Sequence, residues 1–263
     1  MYQIKSFKLF PNNNKKAQEL EIIIKEKLLN NGFIESDDYD LAIAIGGDGS
    51  FLRMVKNTNF NNDALYVGVN AGTLGFAQDI NIENIDKFIS DIKNGNYKVD
   101  TIGVQKTKII TNKGNSNFYS LNEIVIRDKE LNTTRLNIKI DDVFLEKYNG
   151  DGILVATSFG STAYNLSFGG SIIYNTFHTL QITPIAPLNN KEYRNLLNSV
   201  VLPENSLVEI IPDNKDLLIT IDGENNIYDN VLKIETSVKE KRIKVLRTID
   251  YNFVEKINEK FLK

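Results

Sequence analysis

The run Gly46-Gly47-Asp48-Gly49-Ser50 sets one carboxylate among three glycines and closes on a hydroxyl. Glycines let a backbone approach a phosphate and leave its N–H groups free to point at the ligand. A helix beginning near Ser50 would add the positive end of its dipole. An acid in such a loop repels phosphate. Asp48 makes sense where a hydroxyl must lose its proton, or a divalent cation must be held, beside the phosphates. A tight turn with an incidental acid is the alternative. No Gly-Lys-Ser/Thr follows, so this is not a Walker A loop, and no Gly-x-Gly-x-x-Gly fingerprint is present in it. The chain has no Cys and one His, His178, to which no role is assigned. Disulfides, thiolate sites and a Cys nucleophile are thereby excluded, and the general base falls to a carboxylate, Lys or Tyr.

Three further stretches carry candidate chemistry. Asn70-Ala71-Gly72-Thr73-Leu74-Gly75-Phe76 follows a second apolar run. Parallel strands would bring it beside the first loop, as a binding segment with Gly72 and Phe76 or as a turn that needs glycine. Asn122-Glu123 interrupts the strand-like residues 117–127. This polar pair suits ribose hydroxyls or an adenine edge, or is a surface pair. The densest stretch, residues 150–170, combines Asp151 with glycines and the hydroxyls of Ser161, Thr162, Tyr164 and Ser167. Residues 161–164 can open a helix whose hydroxyls and N–H groups face a ligand, with the Tyr164 ring against a base or a nicotinamide. A Gly/Ser-rich connection is the alternative there.

The elements that must position these residues follow from periodicity. Residues 3–10 alternate as a strand, and residues 15–31 place Ala17, Leu20, Ile24 and Leu28 on one helical face that Gly32 ends. Residues 41–45 and 65–69 are short apolar runs that suit buried parallel strands. Residues 82–93 read as a helix closed by Gly95. This βαβ order predicts an open α/β layer, in which ligands bind beyond the carboxyl ends of the strands. After about residue 96 the strand-like runs 104–111, 117–127, 135–140, 143–148, 153–157, 207–211, 217–221, 231–236 and 243–247 predict an all-β sandwich, with Asp141-Asp142 as a hairpin turn. Residues 250–263 space Phe253, Ile257 and Phe261 a helical turn apart and predict a terminal helix returning to the first domain. The expected division is residues 1–98, 99–247 and 248–263. The 263 residues, 41% hydrophobic and 25% charged, suffice for a full core without staples. A net charge of −3 offers no basic field for nucleic acid. No apolar run approaches the roughly 18 residues of a membrane helix, and residues 1–10 alternate rather than form a signal peptide, so a cytoplasmic protein is expected.

GGDGS, NAGTLGF, NE, GDG and GSTAYNLSFGG, in this order and spacing, resemble the NAD kinases, particularly the short bacterial form. GGDG alone is shared with diacylglycerol and sphingosine kinases and phosphofructokinases; the GSTAY block with NE separates the NAD kinases from them. The resemblance implies a Rossmann-like α/β nucleotide-binding domain, a β-sandwich NAD-binding domain, a site between them, and homo-oligomers, dimers or tetramers. It implies transfer of the ATP γ-phosphoryl group to the 2′-hydroxyl of the adenosine ribose of NAD, giving NADP. The divalent cation, Mg or Mn, would be held mainly through ATP phosphates, and polyphosphate serves as donor in some members. Carried over, Asp48 matches the acid that deprotonates the hydroxyl, with Gly49 beside it, and Gly46 and Gly47 match the phosphate-approaching loop. Asn122 and Glu123 match the pair gripping adenosine, and Asp151 matches a substrate contact. Thr162, Ala163, Tyr164 and Ser167, in a stretch that includes Asn165 and Leu166, match the dinucleotide pocket. Ala186 matches a later contact, and Asp222-Gly223-Glu224 stands where an Asp-Gly-Gln-like turn is usual. Ser50 replaces Thr and keeps the hydroxyl. Asn149 stands where a basic residue is common. Ser158-Phe159 replaces Pro-Thr or Pro-Ser, so a hydroxyl at 159 is lost and Phe159 can narrow the pocket. Glu224 for Gln adds a charge. The rivals are a diacylglycerol-type lipid kinase and a non-catalytic NAD(P)-binding sensor.

Overall fold

The computed structural model describes residues 3–72 and 75–263; Thr73 and Leu74 of the second glycine loop lie outside the described residues. The chain divides into two compact units, Met1–Thr101 with Arg242–Lys263, and Ile102–Lys241.

The first unit is an α/β layer. Parallel strands run in the order Ile34–Glu35, Ser6–Pro11, Leu41–Gly46, Leu65–Asn70. Lys244 and Val245 then pair in parallel with Leu65 and Tyr66 on the far side. Strand residues alternate between faces. Leu41, Ile43, Ile45, Leu65, Val67 and Val69 join one apolar cluster with Ala17, Leu20, Ile24 and Leu28 of the helix Lys15–Asn30 and with Ile85, Phe88, Ile89 and Ile92 of the helix Ile85–Asn94. Fully burying one such Ile or Leu contributes about 1.5–3 kcal/mol. The opposite face, where Ala42 pairs with Tyr66, carries the helix Asp48–Asn57, whose Phe51 ring meets Tyr66 edge-on. Asn14 caps the first helix by accepting the Ala17 N–H. Gly95, with φ 74°, ends the Ile85–Asn94 helix. The terminal helix Phe253–Phe261 belongs to this unit.

The second unit is a β-sandwich. One antiparallel sheet runs Val200–Leu202, Leu180–Ile185, Gly152–Thr157, Glu123–Asp128, Leu217–Ile221, Glu224–Tyr228. Facing it are Val143–Gly150, Thr134–Ile140, Val208–Pro212 and the early residues of Val231–Thr248. Ile124, Ile126, Ile153, Val155 and Ile219 from the first layer pack with Leu136, Ile138, Val208, Ile210 and Ile234 from the second. Asp141 and Asp142, with φ of 50° and 65°, form the expected hairpin turn.

Four expectations need correction. The helix after the first glycine loop begins at Asp48, not near Ser50. Residues 117–127 are not one strand. Gly114–Ser120 pairs with Tyr97–Thr111, whereas Glu123–Asp128 pairs with Gly152–Thr157 and Leu217–Ile221, so the chain changes sheets at Leu121-Asn122. Residues 231–236 and 243–247 are one strand, Val231–Thr248, because the polar residues between them stay extended. Its late residues, Arg242 onward, fall in the first unit rather than in the sandwich. The strands Leu180–Ile185, Val200–Leu202 and Glu224–Tyr228 lie outside the runs expected from the sequence.

Candidate functional site

In the first unit the strand Leu41–Gly46 ends at the loop, and Gly47 is the N-cap of the next helix. Asp48 is thus a first-turn helical residue, where the dipole favours a carboxylate and the unpaired N–H groups favour anions. Its oxygens accept N–H groups of Phe76 at 3.2 Å and Ala77 at 2.8 Å. The fold therefore brings the exit of the second glycine loop onto the acid of the first. Gly75 lies closest. A Cβ there would sit 2.3 Å from Asp48 Oδ1 and 2.0 Å from Gln78 Oε1, so any larger residue would force these side chains to shift. A Cβ on Gly46 would likewise meet Ser50 Oγ at 2.2 Å; that hydroxyl is buried and has no hydrogen-bond partner among the described residues. At Gly47, Gly49 and Gly72 a Cβ would meet nothing within 4 Å among the described residues, and none of the three has a positive φ. The fold itself does not require glycine at these positions. Gly47 and Gly49 thus leave open space on either side of Asp48, which a mere structural turn would not need. The Phe76 ring turns away into the unit, against Phe253 and Phe261 at 6.3 and 5.2 Å.

Behind this segment lies a charge cluster that the sequence reading missed. Lys256 Nζ donates to the Gln78 carbonyl at 2.8 Å and to the Asp79 carboxylate. Arg247 Nη1 donates to Asp79 at 2.6 Å, its Nε to Asp100 at 3.0 Å, and its guanidinium lies 4.3 Å from the Tyr251 ring centre. Burial works to raise the Asp79 carboxyl, but Arg247 and Lys256 outweigh it and hold the group below the usual carboxylate range. Burial, opposed by Asp79, pushes Lys256 below the usual lysine range. A usable signal existed: Lys256 falls three residues after Phe253 on the helix's inward face, and Arg247 ends an apolar run.

In the second unit Asn122 and Glu123 sit where the chain changes sheets. The Asp222 carboxylate accepts N–H groups of Leu121 at 2.7 Å, Asn122 at 2.7 Å and Glu123 at 3.2 Å. Asp222 and Gly223, with φ of 45° and 85°, form the two-residue turn into Glu224–Tyr228, and Glu224 is exposed. From the other side, the Thr157 N–H donates to the Asn122 carbonyl at 2.8 Å and its Oγ1 to the Leu121 carbonyl at 2.5 Å. A Cβ on Gly160 would lie 2.2 Å from the Asn122 carbonyl oxygen. The structure thus gathers the Asn122-Glu123 pair, the 157–164 segment and Asp222.

Glu123 is buried, and Oε2 has no hydrogen-bond partner among the described residues. Burial, reinforced by the Asp222 charge and opposed by the Tyr164 N–H, pushes its carboxyl up to about 8. The Tyr164 side chain is 42% exposed. Its ring packs edge-on to Phe168 at 4.8 Å, and its hydroxyl accepts from Arg127 Nη2 at 3.2 Å. Thr162 and Ala163 are half-buried beside it, and Phe159 is buried in the 3-10 turn Phe159–Thr162. The expected helix from 161 is only Tyr164–Ser167, with Leu166 half-buried and Ser167 exposed. Asn165 is buried and committed to the fold, donating to the Ser161 carbonyl at 3.2 Å and accepting from Thr183 Oγ1 at 2.6 Å. Asp151 is exposed next to the strand Gly152–Thr157, and its N–H donates to the Ile185 carbonyl at 3.0 Å. Ala186, with φ 45°, follows at once and is exposed. Asn149 is buried, its Nδ2 donating to the Lys147 carbonyl at 3.1 Å, so the position where a basic residue is common points inward here. His178 pairs with Glu204 at 3.1 Å, apart from these residues. Among the described residues no three His, Asp or Glu groups are placed to hold a metal ion, and no helix is long and apolar enough to cross a membrane.

Known proteins resemble this chain in sequence and in fold. Residues 11–97 match the family described as ATP-NAD kinase N-terminal domain, and residues 121–247 match ATP-NAD kinase C-terminal domain. The chain is 39% identical to an NAD kinase of Finegoldia magna, covering 98% of each chain. It is 36% identical to an NAD kinase of Streptococcus agalactiae, over 88% of this chain and 85% of that one. In fold it is similar to yeast NADH kinase complexed with NADH, with a TM-score of 0.84 at 19% identity, covering 98% of this chain and 87% of that one. It is also similar to an NAD kinase from Archaeoglobus fulgidus in complex with ATP, with a TM-score of 0.77 at 19% identity, covering 97% and 98%.

Proposed function

Since this chain belongs to the NAD kinase family, we propose that it moves the γ-phosphoryl group of ATP to the 2′-hydroxyl of the adenosine ribose of NAD, with Asp48 as the proton acceptor. The observation that carries the assignment is Asp48 itself, oriented by two backbone N–H groups at a helix start and bordered by glycines that leave space beside it. Phosphoryl transfer asks mainly for positioning and charge neutralisation. Asp48 takes the hydroxyl proton, the ribose oxygen bonds to the γ-phosphorus, and the bond to the β–γ bridging oxygen breaks to release ADP. The N–H groups at the start of Asp48–Asn57, with Gly46, Gly47, Gly49, Ser50 and Gly72, serve the phosphates.

In the second unit, Asn122 and Glu123 grip the adenosine portion, with Glu123 able to donate while protonated. The half-exposed Tyr164 ring offers a stacking face, and Thr162, Ala163, Ser167, Asp151, Ala186 and Glu224 line the approach. Phe76, Asn165 and Asn149 act through backbone or packing, since their side chains are turned inward. The first unit is the nucleotide-binding domain and the second the NAD-binding domain. A divalent cation, Mg or Mn, would be held mainly through the ATP phosphates and would neutralise their charge. The protein is a cytoplasmic homo-oligomer, a dimer or tetramer.

The purified chain is incubated with ATP, Mg²⁺ and NAD, and NADP is read with an NADP-specific dehydrogenase. NADP is expected, and EDTA should abolish it while NAD binding persists. NAD binding without turnover would replace this reading with the sensor. Phosphorylation of diacylglycerol vesicles without NADP would replace it with the lipid kinase.

A further inference from the structure

The helix Phe253–Phe261 closes over the segment that holds Asp48. Phe253 and Phe261 lie on the Phe76 ring, and Lys256, 7% exposed, passes beneath to the Gln78 carbonyl and the Asp79 carboxylate. Asp79 is tied down twice more, by Arg247 at 2.6 Å and by its own N–H to the Gly68 carbonyl at 3.0 Å. Residues 75–79 are therefore pinned at their far end, while at their near end Phe76 and Ala77 present N–H groups to Asp48.

Arg247 already bridges Asp79 and Asp100, so Asp79 would keep a cation without Lys256. Burying a second cation is expensive unless its geometry is used. Among the described residues the Gln78 carbonyl, one residue after Ala77, accepts the Lys256 ammonium at 2.8 Å. Asp48 also lies close enough for its charge to act on Lys256.

We propose that Lys256 is a positioning residue for Asp48, acting through the backbone of residues 75–79. The inference rests on Asp48 being the proton acceptor. A shift of about 1 Å in a positioned group can lower turnover by some hundredfold, so a loosened segment should reach kcat before it reaches NAD affinity.

The test is Lys256→Met, which keeps the stem and removes the ammonium. The expected result is a kcat lower by tenfold or more, with KM for NAD and calorimetric NAD affinity within threefold of wild type. Added to Asp48→Asn, the same change should lower the residual turnover by less than twofold, because what it positioned is gone. A folded Lys256→Met enzyme with wild-type kcat would overturn the inference. So would an equal loss in the Asp48→Asn background, which marks a general structural role. If circular dichroism shows Lys256→Met unfolded, Phe261→Ala decides. It loosens the same helix from a partly exposed position, and a kcat lower by three- to tenfold with unchanged KM is expected; wild-type kcat overturns the proposal. Wild-type protein that makes no NADP would instead bring down the parent reading of Asp48.

Discussion

Two carboxylates in this chain stand in opposite surroundings. Asp48 stands at a helix start with N–H donors on both oxygens, an environment that suits an anion. Asp48→Asn keeps the shape and removes the proposed base. Turnover should fall by about 10²- to 10⁴-fold, while NAD affinity by calorimetry stays within a few-fold. Glu123 stands in the opposite environment, buried beside the Asp222 charge, with its carboxyl pushed up to about 8. The unfolded chain binds that proton less tightly, so the folded state holds more protons between the unfolded value of 4.5 and about 8. The contribution of Glu123 to stability is fully present below 4.5 and is lost as pH rises through about 8. Glu123→Gln stays neutral and can still accept the Tyr164 N–H. Its melting temperature relative to wild type should therefore rise between pH 5 and pH 9, and a difference that is flat with pH would contradict the protonated carboxyl.

At the scale of elements, the candidate residues of each unit depend on one segment holding another by its backbone. Gly75→Ala drives a methyl group toward Asp48 Oδ1 and Gln78 Oε1. Either these side chains or the segment must shift, so the Asp48 carboxylate is displaced and NADP formation should fall by about tenfold or more. Asp222→Ala leaves the N–H groups of Leu121, Asn122 and Glu123 without their carboxylate. An unsatisfied buried donor costs about 1–3 kcal/mol. The sheet-switching corner should loosen, which would show as a higher KM for NAD and a smaller change in kcat. The opposite split would point to a role for Asp222 nearer the reaction.

At the scale of the molecule, the first unit is completed from both ends of the chain. Arg242–Lys263 returns to it after the whole sandwich, adding Lys244 and Val245 to its sheet and Arg247 and Lys256 to its buried charge cluster. Breaking a buried ion pair by removing one partner costs about 3–5 kcal/mol. Arg247→Met should lower the first unit's resistance to urea by about that amount, read by the susceptibility of its segments to proteolysis. A loss below about 1 kcal/mol, the range of a surface pair, would mean that Lys256 alone neutralises Asp79.

What the sequence determined by itself is the chemistry and the architecture. Three glycines around an acid after an apolar run, the Asn-Glu pair and the 161–170 block are local, and their order and spacing identify the family. The period of apolar residues likewise separates an α/β layer from a run of strands, because each element must bury one face. Tertiary structure alone decided how the acid is held. The donors to Asp48 lie 28 and 29 residues on, and the ammonium that fixes their segment lies 178 residues beyond Gln78. No local period records such a partner, since a buried cation and the carbonyl it holds need only be near in space. The break at Leu121-Asn122 was hidden for a similar reason. Both flanking segments are extended, and only their pairing with different neighbours separates them.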